Sequence, residues 1–269
     1  MAEAVLCPGC FNPFPLFTHR TFPWQMMHRG PWGPACLSEP FFMQTLLQPV
    51  VRVKMSSDVH ERLAELRIPY PPGPKRQRRA AMVRERGVFF LHIPKNAGTS
   101  ITRALYGMDV GHETVRYFQH RMPDLLRFPS FAILRDPVQR FLSACRYART
   151  GGGETRQVAR GFRAHYMGLR DLDDALDLVA QARRTYEIDH IFRPQTWYLT
   201  DRDGHIAVDR LFMLDDMKGI QDFVAGYTPV AIRQMNGTVN KGELPRPDQI
   251  ERIRQIYRAD YDLIARIRH

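Results

Sequence analysis

The chain has 269 residues, 44% hydrophobic and 25% charged, which suits a globular protein of one large domain or two small ones. Lys and Arg number 39 against 28 Asp and Glu, and the resulting net charge of +11 favours an anionic partner: nucleic acid, acidic lipid, a polyanionic glycan or a nucleotide. Four cysteines (Cys7, Cys10, Cys36 and Cys145) do not make a disulfide framework, the lone Cys7–Cys10 pair lacks the further ligands a zinc site needs, and no apolar run reaches membrane-spanning length.

Residues 1–50 are dense in proline and aromatic residues and show little periodicity, so they are expected to be an irregular extension, either an arm packed on the domain or on a partner, or a poorly ordered segment. Residues 57–67 form a short amphipathic helix pattern, with Ser57 or Asp58 to cap it and Val59, Leu63 and Leu66 on one face. The prolines of 70–74 end it, and the basic run Lys75–Arg79 is expected to be a solvated linker. The N-terminal extension is thus drawn over residues 1–86 and the catalytic domain over 87–269. Within the second part, Val88–Ile93 and Phe131–Leu134 are apolar, β-leaning runs expected as buried strands. Helices are expected over Thr99–Tyr106, Pro137–Ala148, Asp171–Arg184 and Asp216–Ala225. Residues 195–200 and 208–214 flank the turn Asp201–Gly204 as a possible strand pair, and Pro247–Arg268 reads as one long closing helix. Strands alternating with helices imply an α/β fold with a mostly parallel central sheet. No secretory signal pattern opens the chain, and a cytoplasmic location is expected.

Two strand-to-helix junctions carry chemistry. The first is Ile93-Pro94-Lys95-Asn96-Ala97-Gly98-Thr99-Ser100. A loop entering a helix N-terminus presents unpaired backbone N–H groups and the positive end of the helix dipole, an anion site. Gly98 permits close approach, Thr99 and Ser100 add hydroxyls, and Lys95 adds a mobile charge. Lysine precedes the glycine here, which separates the loop from a Walker A sequence. The second junction is Leu134-Arg135-Asp136-Pro137-Val138-Gln139-Arg140-Phe141-Leu142-Ser143. Arg135 can fork onto a phosphate, Ser143 lies two turns on, Pro137 suits a first helical position and Asp136 a cap.

These two motifs in this order, beginning Phe90-Leu91-His92, resemble the PAPS-dependent sulfotransferases, closest to the carbohydrate branch of heparan and chondroitin type and its bacterial relatives; PAPS is 3'-phosphoadenosine 5'-phosphosulfate. The resemblance covers about residues 87–269 and implies a P-loop-like three-layer fold. It implies that the loop (Lys95, Asn96, Ala97, Gly98, Thr99 and Ser100) holds the 5'-phosphosulfate of PAPS, and that Arg135 and Ser143 hold its 3'-phosphate. Asn96 stands where threonine is common in the family. The resemblance also places a histidine between the motifs, in a segment like Gly111-His112-Glu113-Thr114. His112 is therefore the expected general base, with His120 behind it and His92 as a packed residue. Lys95 would stabilise charge on the bridging oxygen, no metal would be required, and the partner would be a hydroxyl acceptor, expected to be a carbohydrate. Arg193, Gln195 and Lys241 are weaker candidates for lining the site. The rival readings are a nucleotide kinase or NTPase, for which Leu211–Asp216 mimics a Walker B run, and a basic nucleic-acid-binding protein. A peripheral membrane contact is left open.

Overall fold

The computed structural model describes residues 39–153, 157–232 and 244–268. The apolar runs become β1 (Phe89–Leu91) and β2 (Ser130–Leu134), and β3 (Arg210–Met213) completes a sheet of order β1–β2–β3 with both pairings parallel. Phe90 pairs with Phe131 and Leu91 with Ala132, while Ile133 and Leu134 face Phe212 and Met213. Every residue of β1 and β2 is buried. Successive strand residues point to opposite faces, so the central strands are covered on both sides, the expected three-layer α/β arrangement.

Helices α1 (Glu39–Val51), α2 (Asp58–Glu65) and α3 (Pro74–Arg86) precede β1. Helices α4 (Gly98–Tyr106) and α5 (Val115–Arg121) connect β1 to β2. Between β2 and β3 run α6 (Pro137–Arg149), α7 (Arg160–Met167), α8 (Leu172–Ala180) and α9 (Gln195–Leu199), and α10 (Met217–Ala225), α11 (Pro247–Ile256) and α12 (Arg258–Ile267) follow. Among the described residues no helix is long and apolar enough to cross a membrane. The sheet core gathers Leu91, Ile101, Leu105, Phe131, Ile133, Ile220 and Leu263, joined by Ala80 and Val83 of α3. A second core unites Phe141 of α6, Phe162 and Tyr166 of α7, Leu176 of α8, Phe192 and Ile253 of α11. Val59 and Leu63 of α2 pack with Val51 and Tyr186 in a third. Each such side chain contributes roughly 1.5–3 kcal/mol of burial.

Four local expectations are corrected. Lys75–Arg79 is the opening of α3 and not a linker: Pro74 takes the first helical position, and Gly87, left-handed at φ 71°, closes the last turn. Arg76 Nε reaches Glu113 Oε1 at 2.8 Å and Arg79 Nη1 lies 3.7 Å from the same oxygen, so two of the arginines in the run share one carboxylate. Residues 195–199 are helical because Asp260 on α12 caps them from across the fold, accepting the N–H of Gln195 at 2.8 Å and of Thr196 at 2.9 Å. Only an isolated antiparallel bridge, Thr200 to Ile206, remains of the expected strand pair. The closing helix breaks at Tyr257 (φ −107°, ψ 28°), whose buried hydroxyl donates to Phe192 O at 2.7 Å; that bend carries Asp260 to α9. The helix expected over 171–184 stops at Ala180, with Asp171 as its cap. Residues 1–38, with Cys7, Cys10 and Cys36, and the loop carrying Lys241 lie outside the described residues. Cys145 is a buried thiol.

Candidate active site

In a parallel sheet the loops after neighbouring strands open on one edge, where ligands bind. The loop after β1 and the junction after β2 meet there. Arg135 Nη1 donates to Lys95 O at 3.2 Å, and Arg140 Nε donates to Pro94 O at 3.1 Å. The carbonyls of the loop are thus turned towards the arginines. Lys95 (φ 70°) and Ala97 (φ 57°) both sit in the left-handed region without being glycine. That conformation costs roughly 1–2 kcal/mol per residue, and alternation of hand along a loop gathers N–H groups into an anion-binding concavity. Ala97 is the N-cap of α4 and offers no side-chain oxygen, so no cap claims the first N–H groups of the helix.

Gly98 is required for a reason the sequence does not show. A Cβ at this position would lie 1.9 Å from Cδ2 and 2.1 Å from Nε2 of His92, whose ring is buried against the helix start. Gly98 makes room for an imidazole as well as for a ligand. Asn96 is 1% exposed, and its amide nitrogen donates inward to Ile133 O at 2.6 Å and Gln195 Oε1 at 2.7 Å. Gln195 also clamps Arg135 by both backbone groups: Arg135 N–H donates to Oε1 at 3.0 Å and Gln195 Nε2 donates to Arg135 O at 2.9 Å. A relay of Asp260, Gln195, Asn96 and Arg135 therefore locks one motif to the other. Thr99 and Ser100 are half-buried in the first turn of α4.

Positive charge dominates the edge. Asp136 caps α6 by accepting Gln139 N–H at 2.9 Å. Beyond it Arg140, Ser143 and Tyr147 follow at intervals of three and four and share a helix face. Lys95 Nζ lies 4.3 Å from the centroid of the Tyr147 ring, which turns this face towards the loop. Burial first, then Arg135, Arg140 and Arg146, lower Lys95 to about 8. Burial and Arg146 also hold Arg135 below its usual value. Arg140 is 2% exposed, and its Nη2 is buried with no hydrogen-bond partner. Among the described residues no carboxylate pairs with Lys95, Arg135, Arg140 or Arg146. Four cations with only Asp136 at the start of α6 nearby to offset them, and no ion pair among the described residues, one of the four with an orphaned donor, fit a bound polyanion.

His112 sits beside the same loop, half-buried, with Nδ1 3.2 Å from His92 O. A carbonyl only accepts, so Nδ1 carries the proton, and in the neutral ring Nε2 bears the lone pair. The segment holding His112 is pinned on its far side. Glu113 pairs with Arg76 and Arg79, and Thr114 donates through its N–H (3.1 Å) and hydroxyl to Glu61 of α2. Glu61 is buried, and burial pushes it up to about 7 against the pull of those bonds. His120 lies exposed in the last turn of α5, outside this cluster.

The structure separates several other candidates from the edge. Arg193 is 1% exposed and spent on Asp58 of α2, with Nη1 at 2.9 Å and Nη2 at 2.5 Å, sandwiched between Tyr186 and Trp197. Asp216 caps α10 and Asp215 pairs with Arg268, which accounts for the Walker B mimic structurally. Asp201, Asp203 and His205 gather on the turn before β3, where Asp201 Oδ1 accepts the N–H groups of the other two. Sequence reasoning missed Tyr147, Arg146, Asp260 and the pair Asp189–His190. A usable signal existed for the last two, a charged dipeptide embedded in an otherwise apolar turn.

A family model described as the sulfotransferase family matches residues 78–264. No curated protein and no solved structure matches the chain.

Proposed function

The chain belongs to the sulfotransferase family, and from that premise we propose that it moves a sulfuryl group from PAPS to a hydroxyl of a carbohydrate acceptor. Sulfuryl transfer itself follows from the family; the donor, the acceptor class and the residue roles are our reading. The observation that carries it is the cluster of Lys95, Arg135, Arg140 and Arg146 around the helix start, in which no carboxylate among the described residues forms an ion pair and Asp136 alone offsets part of the charge on Arg135.

PAPS, when bound, supplies the sulfuryl group on a phosphate leaving group. The N–H groups of residues 97–100, with the hydroxyls of Thr99 and Ser100, hold the 5'-phosphosulfate end. Arg135, fixed by Gln195, and Ser143 hold the 3'-phosphate. Lys95 neutralises charge at the bridging oxygen, and the αL backbone that carries it keeps the ammonium on the loop. His112 accepts the acceptor hydroxyl's proton on Nε2, because Nδ1 is committed to His92 O. Asn96 contributes by locking the loop to β2 and α9.

The test is transfer of label from ³⁵S-PAPS to a panel of heparan- and chondroitin-type glycans, partly desulfated to expose hydroxyls, with products identified by mass. Labelled glycan is expected from the wild type and none from Lys95→Met. His112→Ala retains binding of the product nucleotide PAP (3',5'-bisphosphate) and loses transfer by roughly two to four orders of magnitude. Label on a small alcohol but on no glycan removes the carbohydrate acceptor; transfer surviving in His112→Ala removes the base.

A further inference from the structure

A row of three imidazoles stands beside the loop. The His112 ring lies between His92, with centroids 4.3 Å apart and planes tilted by 58°, and His190, 4.9 Å away and stacked at 27°. His190 opens a single 3-10 turn, His190–Phe192, and its Nδ1 is 2.6 Å from Asp189 Oδ1. Asp189 is 1% exposed; the same Oδ1 accepts Ile191 N–H at 3.1 Å, and the Asp189 N–H donates to the Tyr166 hydroxyl at 2.8 Å. Burial opposes the charge on Asp189, but His190, the Ile191 N–H and Arg193 outweigh it and keep the carboxyl below its usual range. An ionised carboxylate held this close to the Nδ1 edge attracts the ring and biases its orientation, while it also caps the 3-10 turn by accepting Ile191 N–H.

We propose that His190, oriented by Asp189, is a positioning residue for His112. Its stacked ring holds the plane of the His112 imidazole, so that Nε2 stays directed at the acceptor hydroxyl. This rests on the reading of His112 as the general base. The titratable and charged groups about the pair are His92 on the other face of His112, Glu113 next in the chain with its partners Arg76 and Arg79, Asp189 behind His190 with Arg193 and Tyr166 beyond it, and Tyr198, whose hydroxyl donates to His190 O at 2.7 Å.

The experiment compares wild type with His190→Phe, which keeps a stacked ring without its nitrogens, and with His190→Gln, which keeps a polar partner for Asp189 and loses the ring. In the labelled-PAPS transfer assay kcat is expected to fall roughly tenfold in His190→Gln with the KM for PAPS unchanged, a split that loss of folding or of donor binding would not give, and to stay within about threefold of wild type in His190→Phe. A His190→Gln kcat within about twofold of wild type, or a His190→Phe kcat that falls as far as that of His190→Gln, overturns the proposal. If the wild type binds no PAP, it is the functional reading that fails, and the ¹³C ring signals of His112 in the unliganded protein, expected to shift in His190→Gln and not in His190→Phe, still decide whether the ring holds its neighbour.

Discussion

Raising the pH from 7 to 9 is expected to weaken PAP binding roughly tenfold, through Lys95 alone. In the free protein burial and the neighbouring Arg135, Arg140 and Arg146 bring Lys95 down to about 8. A polyanion on the loop supplies the missing negative charge, so it binds the protonated form and raises the pKa again. Affinity is then level below pH 8 and falls above it. With a free-state value of about 8, the protonated fraction drops from about nine-tenths at pH 7 to about one-tenth at pH 9, which sets the tenfold change. The phosphates of PAP titrate around pH 6, are about nine-tenths ionised by pH 7 and add only a small rise in this window. Lys95→Arg carries a charge that does not titrate, so its affinity stays flat from pH 7 to 9 even if weaker throughout. Calorimetry at constant ionic strength measures both. Repeated at pH 8 in buffers of different ionisation enthalpy, it also reads uptake of about half a proton per PAP bound by wild type. A wild-type affinity that does not change with pH, or the same slope in Lys95→Arg, would refute the reasoning.

Other outcomes follow from the same geometry. Gly98→Ala drives a Cβ into His92 and is expected to cost about 1–3 kcal/mol in urea unfolding and to abolish PAP binding; adding His92→Ala restores part of both, whereas an unimproved double mutant would mean the clash is elsewhere. Gln195→Leu strands the Arg135 backbone groups and the Asn96 amide, so a stability loss of about 3–5 kcal/mol and a weakened PAP complex are expected by denaturation and calorimetry. Glu61 keeps its proton in the folded protein up to about 7, while the unfolded chain releases it near 4.5. Stability is therefore fully present below pH 4.5 and declines as pH rises through 7, by about 3 kcal/mol. Glu61→Gln should flatten that slope between pH 5 and 8, and a slope equal to wild type would show that another group titrates.

The loop of Ile93–Ser100 was legible because its signal is local. An apolar run, a proline, a lysine ahead of a glycine and two hydroxyls define a strand, a loop and a helix start within a dozen residues, and the structure has β1, the left-handed loop and α4 in that order. The second junction was legible for the same reason, down to Asp136 as cap and Pro137 at the first helical position. What stayed hidden is held by partners distant in the chain. Gln-Thr-Trp-Tyr-Leu leans towards a strand by composition, and only Asp260, 65 residues on, makes it a helix. Arg76 and Arg79 look like a solvated charge run until Glu113 is folded against them. Arg193 looks like a ligand for an anion, and its anion turns out to be Asp58. Gly98 reads as room for a phosphate, and the ring of His92 already occupies that side.

The central claim is that the loop of Ile93–Ser100 and the junction of Arg135–Ser143 form one clamp for a nucleotide bearing phosphates at both ends of its ribose. Calorimetric titration with PAP and with 5'-AMP, which lacks the 3'-phosphate, tests it most directly. PAP is expected to bind at least about a hundredfold more tightly than AMP, with that gap closing in Arg135→Ala as a charge-assisted phosphate contact of about 1.5–3 kcal/mol is lost. Equal affinity for PAP and AMP, or a gap that survives in Arg135→Ala, would contradict it.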